Sequence, residues 1–307
     1  MTAVADLRTA LERRIGRPVA DLHRLSGGAS RETWSFTAGP DRLILRRDPP
    51  GAARTGMLRE AALLEAAAGV GVPVPELLDA SDDVAVLGAA FLVMRHVDGE
   101  TIPRKLLRDP AFADARPQLA RQCGEVLARL HTLGPDAVPG LEETDQVSQY
   151  RSVLAAADQP HPAFELAFRW LDEHRPASTQ RRIVHGDFRN GNLIVGPDGL
   201  RAVLDWELAH VGDPLEDLGW LCVKSWRFGV DLPVGGFGTY DDLVAGYGGE
   251  VDLESLRWWE VLGSLKWGIM CIMQALTHTS GAVRSVELAA IGRRVCEVEY
   301  DLLELVS

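Results

Sequence analysis

The most constraining feature of this sequence is a short hairpin signature in its second half. Two apolar runs, at residues 193–195 and 202–204, flank a Gly-Pro-Asp-Gly turn at 196–199. Apolar runs joined by such turn residues predict two antiparallel strands. Because the open ends of a hairpin lie side by side, we expect Asn192, which precedes the first strand, to lie close to Asp205, which follows the second.

The remainder of the chain divides into a first part with strands and a second part with helices. Short apolar runs at 43–45 and 90–94 predict buried strands. Between them, residues 57–68 are rich in Ala, Leu and Glu and lack Gly and Pro, which predicts a helix. The second part is predicted to form mainly helices, at 114–133, 162–174, 214–228, 252–276 and 283–305. Gly263 and Gly268 interrupt the apolar pattern of the fourth of these.

These elements predict an α+β fold with two lobes. We expect a small N-terminal lobe with a β-sheet at residues 1–97 and a larger, mostly helical C-terminal lobe at 98–307, joined by a hinge near 94–99. The predicted hairpin lies at the junction of the two lobes. Since clefts between domains are favoured ligand sites, we expect the functional site in this cleft.

Composition restricts the partners of this 307-residue chain. Its formal net charge is −12 and its basic residues are scattered, which disfavours nucleic acid and anionic membranes as partners. No apolar stretch approaches the roughly 20 residues of a membrane span. The first 14 residues show no signal peptide, so we expect a cytoplasmic protein. The four cysteines lack a CxxC spacing and are expected to be buried, reduced thiols.

The segment 185–192, His-Gly-Asp-Phe-Arg-Asn-Gly-Asn, carries side chains that could perform chemistry. Asp187 lies in a loop bounded by glycine and offers a carboxylate that can accept a proton from a hydroxyl group. An amide oxygen from Asn192 and a carboxylate from Asp205 are hard ligands of the kind that Mg²⁺ prefers. A loop aspartate, an asparagine five residues later and a strand-end aspartate form the arrangement that kinases use for phosphoryl transfer.

Three segments together resemble the aminoglycoside phosphotransferase and choline kinase family: 185–192, Val-Leu-Asp-Trp-Glu at 203–207, and Gly-Asp-Pro-Leu-Glu-Asp-Leu at 212–218. The resemblance implies a bilobal protein-kinase-like fold, with ATP and Mg²⁺ as cofactors. It also implies a catalytic base at Asp187, magnesium ligands at Asn192 and Asp205, a loop-ordering His185, and structural carboxylates at Asp213 and Asp217. Glu207 is either a further ligand or a support for the metal site.

The resemblance extends more weakly into the first part of the chain. The segment 25–31 occupies the place of the family's nucleotide loop, and 91–97 resembles the hinge, whose backbone binds adenine. Glu60 matches the family's helix glutamate, whereas Arg46 stands where a lysine partner is usual; the two could also form an ordinary salt bridge. The residues implied in ATP binding are Ser26, Gly27, Gly28, Ser30, Arg46, Glu60, Met94, Arg95 and Val97.

The segments 45–50 and 204–209 are most similar to a subgroup related to kinase domains attached to acyl-CoA dehydrogenases. That subgroup is associated with phosphorylation of hydroxyacyl-CoA compounds. Alternatively, the excess of acidic residues in 240–307 could receive a polycationic aminoglycoside, or it could be solvated helix surface. A CoA thioester would require basic residues near the cleft, for which the candidates are Arg95, Arg104, Lys105 and Arg108.

The sequence therefore predicts an ATP-dependent phosphotransferase that moves the γ-phosphoryl group to a hydroxyl group of a small molecule. One alternative is a hydroxyacyl-CoA kinase of the same fold. Another is a nucleotide-binding module with impaired catalysis, because Arg46 replaces the usual lysine. A metal-dependent phosphoesterase is disfavoured, since the eight histidines are not paired at ligand spacing. The acceptor (aminoglycoside, choline-like alcohol, sugar or hydroxyacyl-CoA), the choice between ATP and GTP, and the oligomeric state stay open.

Overall fold

An antiparallel sheet forms the first part of the structure. In chain order its strands are β1 (Val19–Arg24), β2 (Glu32–Ala38), β3 (Asp41–Arg47), β4 (Leu77–Ser81) and β5 (Phe91–Arg95), and across the sheet they run β1-β2-β3-β5-β4. Buried side chains such as Phe36 and Leu45 alternate along β2 and β3, as a strand with one face on the core requires. The structure, a computed structural model, describes residues 2–25, 31–49, 56–177 and 180–307.

Helices make up most of the second part. In the first part, the described residues form α1 (Thr2–Ile15), α2 (Met57–Gly69) and α3 (Val84–Leu87). In the second part they form α4 (Pro103–Arg108), α5 (Arg116–Leu130), α6 (Gln146–Ala157), α7 (Pro162–Glu173), α8 (Leu215–Cys222), α9 (Tyr240–Tyr247), α10 (Leu253–Thr279), α11 (Val286–Gly292) and α12 (Val295–Val306). Together with the sheet, these helices confirm the predicted α+β class.

Helix α2 packs beside β4 and β5 and turns a buried carboxylate towards the second part of the chain. Asp82 fixes its N-terminus, because the Asp82 side chain accepts a hydrogen bond of 2.9 Å from the amide of Met57. Ala61 and Leu64 are buried in the core with β5. Glu60 is also buried, at 3% exposed, although it lies in the first turn of the helix. The predicted helix at 57–68 is therefore confirmed.

The predicted hairpin is present as β7 (Leu193–Gly196) and β8 (Gly199–Val203), with Leu193 opposite Val203. Next to it, β6 (Arg182–Val184) pairs with β9 (His210–Gly212). One hydrophobic core runs from α2 and β5 through α5 to β7 and β8. Because this core spans both parts, the division into lobes of 1–97 and 98–307 stays a proposal.

Three predicted helices differ from those in the structure. The helix predicted at 214–228 ends at Cys222, because Val223 leaves the helical conformation with ψ 130°. Helix α10 instead continues unbroken through Gly263 and Gly268. Both glycines lie at close contacts, and a Cβ at Gly268 would lie 2.5 Å from the Phe164 ring. The helix predicted at 283–305 is divided into α11 and α12.

Other elements were not predicted at all. In the described chain these are the helices α1, α3, α4, α6 and α9 and the strands β1, β2, β4 and β9. The expectation for the cysteines holds for Cys123, Cys222 and Cys271, whereas Cys296 is exposed. Among the residues that the structure describes, no helix combines the length and apolar character needed to cross a membrane.

Candidate active site

The segment 185–192 forms a tight loop between β6 and β7. Asp217 of α8, which is completely buried, accepts hydrogen bonds from the amides of His185 (2.7 Å) and Gly186 (2.9 Å). Gly186 has φ +75°, and a side chain there would collide with the carbonyl oxygen of Leu208. The buried His185 ring contacts the carbonyl oxygen of Leu204 at 2.9 Å. His185 and Asp217 thus hold the backbone of the loop through buried hydrogen bonds.

The carboxylate of Asp187 is held by donors from three directions. Its Oδ2 accepts a hydrogen bond of 2.6 Å from the side-chain amide of Asn192. Its Oδ1 accepts hydrogen bonds from Nε1 of Trp220 (2.8 Å) and from Nε of Arg189 (2.9 Å). The side chain is 13% exposed, and these hydrogen bonds fix its orientation.

Asn192 and Asp205 flank the hairpin on adjacent strands. The amide of Leu204 donates a hydrogen bond of 2.8 Å to the carbonyl oxygen of Asn192, which keeps the two strand ends together. The side-chain nitrogen of Asn192 points to Asp187, so its Oδ1 faces away from that carboxylate. Asp205 adopts a left-handed conformation (φ 68°, ψ 66°) and is 34% exposed.

This donor set fits a cation that takes few ligands from the protein. Among the described residues, no group of three or more His, Cys, Asp or Glu side chains could hold a metal on its own. One amide oxygen and one carboxylate instead match Mg²⁺, which keeps several waters and binds substrate phosphates. Asn192 and Asp205 would hold such an ion.

Arg46 on β3 links the helix glutamate to the hairpin aspartate. Its guanidinium donates to Oε1 of Glu60 at 2.6 Å and to Oδ1 of Asp205 at 2.7 Å. Burial lowers the pKa of Arg46, but the charges of Glu60 and Asp205 outweigh this and raise that pKa above its ordinary value. The predicted pairing of Arg46 with Glu60 is therefore present, and the contact with Asp205 was not predicted.

Arg31 is a second arginine at this site. Its segment, 25–31, was predicted as the nucleotide loop, but no role was predicted for its side chain. It forms an ion pair with the same Glu60, lies 3.3 Å from the buried Asp48, and lies 3.6 Å from Glu207. Glu60 therefore joins two guanidinium groups, one on β3 and one beside β2. The predicted phosphate-loop residues lie just before Arg31 but outside the described residues: Ser26, Gly27, Gly28 and Ser30.

The predicted adenine-binding residues lie on β5 and the connection after it. Met94 is buried opposite Ile44 of β3, and Val97 is half-buried. The amide of Arg95 donates to the carbonyl oxygen of Glu76 at 2.9 Å, so an adenine contact through Arg95 would have to use its carbonyl group.

Two of the four basic residues considered for a CoA thioester form ion pairs with acidic side chains. Arg95 pairs with Asp41 at 2.6 Å, and Lys105 lies 3.2 Å from Glu100. Arg104 and Arg108 lie on the short helix α4 and are exposed. This leaves α4 as the basic surface that follows the hinge.

A cavity of about 330 Å³ opens beside the loop, between α2, the start of α6 and residues 206–210. Lys266 of α10 lines it and donates a hydrogen bond of 3.2 Å to the carbonyl oxygen of Gly186, directly before Asp187. Burial lowers the pKa of Lys266, but the nearby Glu216 outweighs this and raises the pKa above its ordinary value.

The charges around this cavity are balanced. The cations Arg31, Arg59 and Lys266 line it together with the anions Glu60, Glu142 and Glu207. Among the described residues of 240–307, Lys266 is the one that lines the cavity. Within the described residues 240–307, no acidic side chain lines this cavity.

His210 lies at the edge of this cavity, with Nε2 3.0 Å from Glu216. Burial lowers its pKa, but the hydrogen bond and charge of Glu216 outweigh this and raise the pKa above its ordinary value. A raised folded-state pKa stabilises the protein below pH about 6.5 and loses that contribution as the pH rises further. We therefore expect the thermal midpoint to fall as the pH rises above about 6.5.

The variant His210→Gln should remove this part of the pH dependence, because glutamine does not titrate. Unfolding followed by circular dichroism at a series of pH values measures it. The matched control is His23→Gln, which changes an exposed residue of β1 and should keep the wild-type slope. An unchanged slope in His210→Gln would show that another group causes the effect.

The sequence of residues 21–259 matches the family model described as the APH phosphotransferase enzyme family. The chain belongs to this family. Membership supports the predicted resemblance and argues against a metal-dependent phosphoesterase. The match covers the sheet, the loop with Asp187, the hairpin and the start of α10, which are the elements that build the site.

One curated relative of the chain is a much longer protein, of which the chain matches only a part. Acyl-CoA dehydrogenase family member 10 from Mus musculus is 31% identical over 227 residues, which span 67% of this chain and 20% of the mouse protein. The chain therefore corresponds to about a fifth of that relative.

Solved structures of family members share the whole fold. A protein from Ralstonia eutropha JMP134, described as an aminoglycoside phosphotransferase, is 21% identical and superimposes with a TM-score of 0.76 over 97% of both chains. A thermostable mutant of aminoglycoside phosphotransferase APH(4)-Ia, in ternary complex with AMP-PNP and hygromycin B, is 17% identical with a TM-score of 0.70, over 98% of this chain and 97% of that one. The predicted bilobal kinase-like fold is thus confirmed.

Proposed function

We propose that this protein transfers the γ-phosphoryl group of ATP to a hydroxyl group of a small molecule. The observation that carries the proposal is the convergence of Asp187, Asn192 and Asp205 with Arg46 and Glu60 at one end of the hairpin. These side chains come from the loop, the hairpin, β3 and α2, and a fold has little structural reason to gather so many charges at one place.

The nucleotide is proposed to bind between the sheet and the hairpin. The solved relative in complex with AMP-PNP supports nucleotide binding in this fold. When bound, Mg²⁺ would offset the charge that develops on the transferring phosphoryl group. Asn192 and Asp205 would hold the ion, and Arg46, kept in place by Glu60, would contact phosphate oxygens.

Asp187 is proposed to act on the acceptor. The acceptor oxygen attacks the γ-phosphorus, the bond from that phosphorus to the bridging oxygen breaks, and ADP leaves. The hydroxyl proton passes to the carboxylate of Asp187, which Asn192 and Trp220 hold in a fixed orientation. Because no covalent intermediate on the protein is required, the rate comes from positioning and electrostatics.

The cavity beside Lys266 is the proposed acceptor site, since Lys266 lines it and also donates a hydrogen bond to the carbonyl oxygen of Gly186, directly before Asp187. Its balanced charges fit a neutral or weakly charged hydroxyl compound better than a polycation. The similarity to a protein named as an acyl-CoA dehydrogenase family member favours a hydroxyacyl-CoA kinase as the second candidate, with α4 as the basic surface. A cytoplasmic location without nucleic-acid or membrane partners stays a prediction from the sequence.

A coupled assay of ADP release across four acceptor classes tests the proposal. The classes are an aminoglycoside, a choline-like alcohol, a sugar and a hydroxyacyl-CoA, each with ATP, which releases ADP, and with GTP, which releases GDP. We expect ADP release that requires Mg²⁺ and rises when one of these acceptors is added. Nucleotide binding in a titration without acceptor-dependent turnover would favour a non-catalytic nucleotide-binding module instead.

A further inference from the structure

Trp220 contacts the proposed base and lies 33 positions away from it in the sequence. The indole is 3% exposed and lies on α8, one turn after the buried Asp217. Its Nε1 donates to Oδ1 of Asp187 at 2.8 Å, which is the length of a strong hydrogen bond to a carboxylate. No motif in the sequence marks this residue.

The indole is held in this position by α10. A Cβ at Gly263 would lie 3.2 Å from Cε3 of Trp220, so the glycine provides the space that the ring occupies. Nζ of Lys266 lies 4.7 Å from the centre of the ring, on its face, and forms a cation–π contact. The same Lys266 donates to the carbonyl oxygen of Gly186, so one buried cation supports both the loop and the indole.

We propose that Trp220 is a positioning residue for Asp187, an inference that rests on the proposed function. Asn192 holds Oδ2, and Trp220 with Arg189 holds Oδ1, so the plane of the carboxylate is fixed by donors at both oxygens. Of these three donors, the indole of Trp220 is the least exposed, at 3%, compared with 6% for Asn192, while Arg189 is partly exposed. The indole keeps the carboxylate aligned with the incoming hydroxyl group. Because the Asp187 side chain is already ordered, the reaction requires no further loss of its conformational entropy.

The variant Trp220→Phe removes the donor and keeps an aromatic ring. We expect kcat to fall about 10- to 100-fold, the range of one hydrogen bond to a charged group, with the KM for ATP within about threefold of wild type. Trp267→Phe is the matched control: it lies in the same buried cluster of tryptophans, and within the described structure its Nε1 has no hydrogen-bond partner. Its kcat should stay within about threefold of wild type.

A double-mutant cycle separates positioning from general support. If Trp220 acts through Asp187, Trp220→Phe should have little further effect on kcat in an Asp187→Ala background. The indole N–H signal of Trp220 in a ¹H–¹⁵N spectrum should also move in Asp187→Ala, while the Trp267 signal stays in place. This second measurement reports the contact without any need for turnover.

Full activity of folded Trp220→Phe, or an equal loss of kcat in the wild-type and Asp187→Ala backgrounds, would overturn the role of Trp220. Wild-type turnover in Asp187→Ala would instead overturn the proposed function, and the N–H spectrum would still report whether Trp220 binds that carboxylate. The thermal midpoints of all variants identify any loss of rate that comes from unfolding.

Discussion

Asp187→Asn should lower kcat by about 10²- to 10⁴-fold, the span expected for a positioned general base. The amide cannot take the hydroxyl proton, yet it has nearly the same shape and can still accept hydrogen bonds from Trp220 and Arg189. In the described part of the chain, Asp187 forms no hydrogen bond or ion pair with Arg46 or Glu60, which are proposed to hold the phosphates. The affinity for ATP with Mg²⁺ should therefore stay near that of wild type. Steady-state ADP release and calorimetric titration of the nucleotide measure these two effects.

The control for this variant is Asp172→Asn, which removes an exposed carboxylate of α7 that pairs with Arg151. It changes the net charge by the same amount and should leave kcat unchanged. Wild-type turnover in Asp187→Asn would contradict the assignment of the base. A loss of nucleotide affinity equal to the loss of rate would instead indicate that Asp187 binds the metal.

The parts of the site that are close in sequence could be predicted because local rules govern them. The apolar runs and the turn residues define the hairpin, and the hairpin alone brings Asn192 and Asp205 to adjacent strand ends. The spacing from Asp187 to Asn192 allows one loop to present both. Helix α2 was predictable for the same reason, since its composition favours a helix without help from neighbours.

The contacts that were missed join distant segments. The pairing of Arg46 with Asp205 spans 159 positions, and no local pattern carries information at that separation. Arg31 and Trp220 acquire their roles only through the packing of β2 and α8 around the site. The break after Cys222 was missed for a related reason: the local sequence favours a helix, but the packing around Val223 and Trp226 overrides that preference.

Arginine at position 46 does more than replace a lysine. A lysine ammonium is a single point of charge, whereas the planar guanidinium can bind two carboxylates at once, and Arg46 does so with Glu60 and Asp205. One arginine thus connects α2 to the hairpin. If phosphate oxygens bind Arg46 and a metal ion binds Asp205, the contact between these two side chains has to break. We therefore expect metal binding and the release of Arg46 from Asp205 to be coupled.

Asp205→Ala should therefore have different effects on the binding of ATP with Mg²⁺ and on the binding of metal-free ATP. Loss of the carboxylate ligand should weaken the binding of ATP with Mg²⁺ by at least about 100-fold, since even indirect supports of a metal ligand are worth about 10- to 100-fold. The same change leaves the Arg46 guanidinium with one carboxylate partner fewer and thus more attractive to a triphosphate. The affinity for metal-free ATP should for this reason stay equal or rise.

Calorimetric titration of ATP in Mg²⁺ and in EDTA measures both affinities on one variant. The control is Asp198→Ala, which removes an exposed carboxylate from the turn at the other end of the same hairpin and should leave both affinities unchanged. If Asp205→Ala weakens the two modes equally, its carboxylate supports the fold of the site and does not bind the metal. If it weakens neither, the cation lies elsewhere, because a direct ligand cannot be lost without a cost in metal-dependent affinity.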